Sequence, residues 1–116
     1  MTSVSDSKVY FTSEVANLKI DEDEEMAIYR VIQESMTNAI RHGKADKIWI
    51  TIKKDSSDVI LQIRDNGIGC KEIKSGFGTR HIKERIGMLG GKVTFDGNKG
   101  FTVEARIPIR WGETYD

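Results

Sequence analysis

Cysteine is almost missing from this chain of 116 residues: Cys70 stands alone, which excludes an internal disulfide. Histidine is nearly as scarce. With only His42 and His81 beside that cysteine, no zinc site with proper ligand spacing can be written. Nor is there an excess of charge, since 18 Lys and Arg balance 18 Asp and Glu. A global field that would draw in nucleic acid or an anionic membrane is therefore excluded, and any anion binding must be local. Long hydrophobic runs are lacking as well. None exceeds three or four residues, whereas a membrane span needs about 20 and a signal peptide a core of roughly 7–15. The expectation is a soluble, cytoplasmic, unprocessed fragment that makes no membrane contact of its own. Its length suits one compact domain over 1–116. No repeat or low-complexity tract divides it.

What is present is clear periodicity. Over 24–42 the positions Ile28, Val31, Ile32, Ser35, Met36, Ala39 and Ile40 follow the three-four spacing of a helix with one buried face. The acidic run at 21–25 favours its N-terminal end, and Gly43 is placed to stop it. Ile48, Ile50 and Ile52 then alternate with polar or amphipathic residues, as do Val59, Leu61 and Ile63, which predicts two strands joined by the polar turn 55–58. A second helix is predicted over 80–89, burying Ile82, Ile86 and Leu89 before Gly90 and Gly91. The last third reads as a hairpin, 92–95 and 101–107 around a turn at 96–100, closed by Pro108. Earlier, 9–11 reads as an edge strand and 14–18 as a short helix or loop. Helices alternating with antiparallel hairpins predict an α+β fold, a two-layer α/β sandwich whose mixed, mainly antiparallel sheet is covered by helices on one face.

Two constellations carry chemistry. Glu34, Asn38 and Arg41 share a narrow sector of the long helix, expected on the side opposite Ile28, Ile32 and Met36, with His42 flanking them. An amide oxygen such as that of Asn38 suits Mg²⁺, which takes one or two protein ligands beside nucleotide phosphates. An ordinary solvated helix face explains the same stripe. The second constellation is Asp65, Asn66, Gly67, Ile68 and Gly69 at the end of a strand. Its carboxylate can accept from an exocyclic amine, and its glycines let backbone lie against a flat ring. A simple Asn-Gly turn is the plainer explanation. Against it stands a second glycine pair, Gly76-Phe77-Gly78, immediately before a predicted helix start, where free N–H groups attract phosphate. Two commoner nucleotide signatures fail: Gly67 to Glu72 lacks the third glycine of a dinucleotide fingerprint, and Gly91-Lys92 lacks the rest of a Walker loop.

The segments at 34–42, 65–69 and 76–91 resemble, in order and spacing, the asparagine box and two glycine boxes of the GHKL ATPases, and with them the Bergerat ATP-binding fold. Within that superfamily, residues 29–39 and 82–91 look most like sensor histidine kinases of the NarX and DesK type. The resemblance implies an ATP-binding catalytic domain in two-component signalling. It assigns Mg²⁺ to Asn38, assistance at metal and γ-phosphate to Glu34 and the adenine amine to Asp65, while from the stripe itself Arg41 or His42 could reach phosphate oxygens. Gly67 and Gly69 would line the base, while Gly76, Phe77, Gly78 and Thr79 would close over phosphates. Six residues between Gly69 and Gly76 make the short lid of that subgroup. The chain departs from the family pattern at Thr79 and His81, where leucine and glycine are usual, and at Phe101, where threonine is usual.

The phosphate acceptor of this family is a histidine preceding an acidic residue on a dimerisation hairpin. His42 precedes Gly43 and His81 precedes Ile82, so neither matches. The resemblance therefore implies a domain excised from a longer, often membrane-anchored kinase. Its partners would be ATP, a dimerisation and phosphoacceptor domain and, indirectly, a response regulator. Two alternatives share the fold: an anti-sigma-type protein serine kinase, and a noncatalytic module that binds a protein when ATP is present.

Overall fold

A computed structural model of the chain describes residues 8–14, 21–41, 43–69 and 79–108. Its elements in order are β1 (Lys8–Ser13), α1 (Glu22–Arg41), β2 (Lys47–Asp55), β3 (Asp58–Asp65), α2 (Thr79–Met88), β4 (Lys92–Asp96) and β5 (Thr102–Pro108). The strands form one sheet in the order β1-β2-β3-β5-β4. β1 runs parallel to β2, and every other pairing is antiparallel. Each antiparallel hairpin needs only a short turn, and Ser56 supplies a positive φ of 58° in the β2–β3 turn. A parallel pair needs a crossover, which α1 provides between β1 and β2.

Period-two alternation decides which face is covered. Ile50, Ile63 and Val103 lie side by side across β2, β3 and β5, as do Ile52, Leu61 and Ala105, and Val59 lies beside Ile107. All of them are buried. Above this row sit Ala27, Ile28, Val31 and Ala39 of α1 with Ile82 and Ile86 of α2. Fully burying such side chains stabilises by roughly 1.5–3 kcal/mol each, so this interface is the main support of the fold. α1 packs on β2, β3 and α2, and α2 packs on β4. The result is the expected two-layer α+β sandwich. β1 is the expected edge strand, where Val9 and Phe11 stay exposed. Of the short helix or loop expected at 14–18, only Glu14 is described; its N–H extends the edge pairing by donating to the Ile52 carbonyl at 2.8 Å.

Local chemistry sets the helix ends. Asp21 Oδ1 accepts the Glu24 N–H at 2.7 Å while Glu24 Oε1 accepts the Asp21 N–H at 2.9 Å, a reciprocal capping box. It starts α1 two residues before the predicted 24. The acidic first turn, Glu22 to Glu25, lies at the positive end of the helix dipole. At the end of α2, the Gly91 N–H donates to Ile86 and that of Gly90 to Gly87, both at 2.9 Å, the paired bonds of a Schellman stop. Among the described residues no helix is long and apolar enough to cross a membrane.

Candidate functional site

Asp65 keeps the inward rhythm of β3. Val59, Leu61 and Ile63 face the helices, and Asp65 takes the next inward position, opposite Ile48. A carboxylate thus stands at the end of an apolar row, 5% exposed. Its Oδ1 accepts the N–H of Gly67 at 2.8 Å and that of Phe101 at 3.2 Å, and its own N–H donates to the Phe101 carbonyl at 3.0 Å. Burial pushes the Asp65 carboxyl above its ordinary pKa, and those two backbone N–H bonds pull it back down. Among the described residues both bonds fall on Oδ1 and none on Oδ2. The second oxygen is therefore the natural acceptor for an incoming donor.

The neighbouring loop is held by backbone approach. A Cβ on Gly67 would collide with the Gly43 carbonyl, which also accepts the Ile68 N–H at 2.8 Å. Gly69, at φ +74°, has the carbonyls of Gly97 and Gly100 where a Cβ would stand. Both glycines, expected to admit a flat ring, are thus already required by protein backbone on their Cβ side. Gly43 is constrained from another side: the positive φ after α1 belongs to Lys44, at 52°, and a Cβ on Gly43 would stand 3.0 Å from the Ala39 carbonyl oxygen. Asn66 completes the clamp. Its Oδ1 accepts the N–H groups of Asp46 and Lys47 at 3.1 and 3.0 Å, and its Nδ2 donates to Asp46 Oδ1 at 2.6 Å.

The α1 stripe differs from the sequence expectation. At about 100° per residue, Asn38 lies within about 20° of Val31 and about 60° of Ser35, both on the buried arc. Asn38 is accordingly 8% exposed, whereas Ile32, Met36 and Ile40 are only partly buried. The stripe borders the core instead of lying opposite it. Along it, Asn38 turns in, Glu34 is half-buried and Arg41 is exposed. The reason is the tilt of the buried arc toward Asn38, because α1 packs against α2 as well as the sheet. Glu34 reaches a cleft of about 100 Å³ between α1 and α2, lined by Arg30, Gln33, Glu34, His81, Ile82 and Arg85. Thr79, the first residue of α2, is buried; His81 is exposed at the cleft rim. His42, Gly76, Phe77 and Gly78 lie outside the described residues, as does the lid segment 70–75.

The structure therefore brings together Asp65, Gly67 and Gly69 with the C-terminal end of α1, and Glu34 with the start of α2. Sequence reasoning named Asn66 only as part of the loop and missed its hold on Asp46 and Lys47, the hold of Phe101 and Gly43 on Asp65 and its loop, and the arginines in the cleft with Glu34. Phe101 and Asp65 are 36 positions apart, so no local pattern announces their bond. Among the described residues no group of three or more His, Cys, Asp or Glu is placed to hold a metal alone. A divalent ion on Asn38 and Glu34 would need oxygens from its ligand, which fits Mg²⁺ carried with phosphates.

Comparison with known proteins bears on this arrangement. A profile of the family described as histidine kinase-, DNA gyrase B- and HSP90-like ATPase matches residues 23–110, from the first turn of α1 past the end of β5. The chain belongs to this family. Among curated relatives, the sensor histidine kinase LiaS of Bacillus subtilis is 32% identical over 83% of this chain, and the sensor histidine kinase YxjM of the same organism is 36% identical over 71%. A sensor-like histidine kinase of Chloroflexus aurantiacus is 30% identical over 84%. The chain spans 28%, 21% and 18% of those three proteins, respectively. The catalytic domain of histidine kinase ThkA superposes with a TM-score of 0.75 at 20% identity, covering 90% of this chain and 79% of that one. The ATP-binding domain of PrrB from Mycobacterium tuberculosis gives 0.62 at 18% identity, over 90% and 81%. These likenesses fix the fold as that of histidine kinase ATPase domains.

Proposed function

We propose that this chain binds ATP with Mg²⁺ and donates the γ-phosphoryl group to a histidine on a separate dimerisation and phosphoacceptor domain, in a sensor kinase of the NarX and DesK type. The observation that carries the reading is Asp65: a buried carboxylate, fixed through one oxygen by two backbone N–H bonds, in a chain of the ATPase family. Its Oδ2 would accept the 6-amino group of adenine. From there the nucleotide would run along α1, with Asn38 and Glu34 toward its phosphates.

Phosphoryl transfer asks the protein mainly to position reactants and to neutralise charge on the transferring oxygens. When bound, Mg²⁺ would supply that neutralisation, held by the Asn38 amide oxygen beside Glu34. Arg41 and His42 would reach phosphate oxygens, and Gly76, Phe77, Gly78 and Thr79 would lie over them. In the step itself a neutral imidazole nitrogen of the acceptor attacks phosphorus. A P–N bond forms as the bond from phosphorus to the β-phosphate oxygen breaks, and ADP leaves with that electron pair. The imidazole then sheds the proton on its other nitrogen to a base of the acceptor domain or to solvent. No proton need pass to a side chain of this domain.

Incubation with γ-labelled ATP, Mg²⁺ and an isolated dimerisation hairpin tests the reading. The label should appear on the hairpin and be acid-labile, as a phosphohistidine is. Acid-stable label would favour the serine-kinase alternative, and partner binding without any transfer the noncatalytic module. Signalling through a response regulator follows from the same reading, as does a cytoplasmic place for the domain within a membrane-anchored parent.

A further inference from the structure

The two edges of the sheet are finished differently. At one edge β4 carries charge at both ends, Lys92 and Asp96, and its Val93 and Phe95 are partly buried against the core. Lys83 of α2 stands 5.8 Å from the centre of the Phe95 ring. At the other edge every position of β1 is exposed, Val9 and Tyr10 included, and Phe11 keeps 59% of its surface. Edge strands are normally guarded against pairing with another chain by proline, a bulge or a charge within the strand. Between Val9 and Ser13 there is no proline and no charge, and the register with β2 runs without a bulge.

Backbone geometry says what that edge offers. The Lys8 N–H donates to the Asp46 carbonyl at 2.9 Å and the Glu14 N–H to the Ile52 carbonyl at 2.8 Å, so the even-numbered residues turn their peptide groups toward β2. Alternate residues of a strand turn theirs the opposite way, so Val9 and Phe11 present N–H and C=O outward. Side chains add a second constraint. Tyr10 stacks beside Trp49 on the face without helices, ring centroids 6.0 Å apart, while Val9 and Phe11 lie beside Ile48 and Ile50 on the covered face. Each face of the sheet therefore ends in an exposed apolar or aromatic side chain.

A second copy of the same strand answers both constraints. Directly opposed residues of an antiparallel pair share a face, so a two-fold axis must fall at one residue position. Centred on Phe11, the pairing sets Phe11 against itself with two backbone bonds exchanged, Tyr10 against Thr12, and Lys8 against Glu14. Centred on Tyr10, it would set Lys8 against Thr12 and leave that charge unanswered. Opposite charges directly across a ladder stabilise it and like charges destabilise it. Lys8 and Glu14 are exposed and belong to no ion pair among the described residues, so they select the first register.

We propose that β1 pairs antiparallel with β1 of a second copy of this chain, with the two-fold axis at Phe11, so that two five-stranded sheets continue as one. The pairing closes at two copies, because each β1 edge is used once. No nucleotide takes part in it, and it stands apart from the function proposed above.

Sedimentation equilibrium of the chain over a concentration series tests the proposal. The parent should shift from monomer to dimer mass as concentration rises. Phe11→Lys sets two like charges against each other on the axis and should leave only monomer. Lys8→Glu and Glu14→Lys should each weaken the dimer about tenfold, because both cross-strand charge pairs become like-charged. An equimolar mixture of those two variants should associate as tightly as the parent, since each supplies the charge that the other lacks. Lys92→Glu, on the opposite edge, should match the parent. Melting curves identify any variant that has lost its fold, and if Phe11→Lys is one, the two charge reversals carry the test. A parent that stays monomeric at every concentration overturns the proposal and leaves the edge to a strand of another protein. So does a dimer unaffected by Phe11→Lys, which would place the interface elsewhere, or a mixture no tighter than its components, which would refute the register.

Discussion

The two ends of the path proposed along α1 are built in opposite ways. Around Asp65 the positions are set by backbone: Gly43 against Gly67, Gly69 against Gly97 and Gly100, and the Phe101 N–H on the carboxylate. Around Glu34 they are set by long side chains, Arg30, His81 and Arg85, which stand exposed on two helices. A rigid end suits recognition of a flat base whose shape never changes. An end of long, exposed charged side chains suits a group that must be gripped and released. The contrast implies that a side chain forced onto the glycines of the first end should damage the fold, whereas the long side chains of the second can change with the fold intact.

The comparison breaks most readily at Gly67. Gly67→Ala drives a Cβ into the Gly43 carbonyl, and such overpacking typically costs about 1–3 kcal/mol, so its urea midpoint should fall sharply. Gly87→Ala, on an open stretch of α2 with no atom within 4 Å of the new Cβ, should instead gain about 0.5–1 kcal/mol. Equal midpoints for the two would remove the steric account of the glycine loop.

A smaller effect is expected at Asp65. Asp65→Asn should weaken ATP by roughly tenfold, the worth of one charge-assisted contact, while keeping an acceptor for the Gly67 and Phe101 N–H groups. The sign of its pH dependence follows from the raised carboxyl. A proton is held more tightly in the folded chain than in the unfolded one, so the stability associated with it is present at low pH and declines as pH rises from about 3.8 through the raised folded value. Nucleotide binding runs the other way: the carboxylate form accepts the amine, so ATP affinity should increase as pH rises through that value. Asp65→Asn should flatten both profiles. A variant that keeps the slope would place the titration elsewhere.

The smallest change concerns Ser35, buried on α1 between Asn38 and Val31, whose hydroxyl has no hydrogen-bond partner among the described residues. A buried polar group without a bond costs about 1–3 kcal/mol on the scale of protein mutations. Ser35→Ala should therefore raise the melting temperature by an amount equivalent to about 1 kcal/mol. A lowered melting temperature would mean that the hydroxyl is bonded after all.

Much of this was legible in the sequence because it rests on short-range pattern. Period-two alternation of Ile48, Ile50 and Ile52 with Val59, Leu61 and Ile63 found the central hairpin, and the same rhythm carried on to Asp65 explains why that carboxylate faces inward. The three-four spacing found α1 and α2 to within two residues at each end. The orientation of α1 was less legible. Counting the patterned residues centres the buried face between Ala39 and Ile32, but packing on α2 rotates it toward Asn38, a contact between helices that a single helix cannot reveal. The clamp on Asp65 was out of reach for the same reason, since Gly43, Asn66 and Phe101 meet it only through folding of the whole chain.

The central claim is that Asp65 reads the amine of adenine. Calorimetric competition between ATP and GTP, with Mg²⁺ present, tests it directly, because guanine carries a carbonyl where adenine carries its amine. The unaltered chain should prefer ATP by about tenfold or more, since a buried acceptor facing an acceptor loses its bond, and Asp65→Asn should erase most of that preference. Equal affinity of the unaltered chain for the two nucleotides would contradict the account.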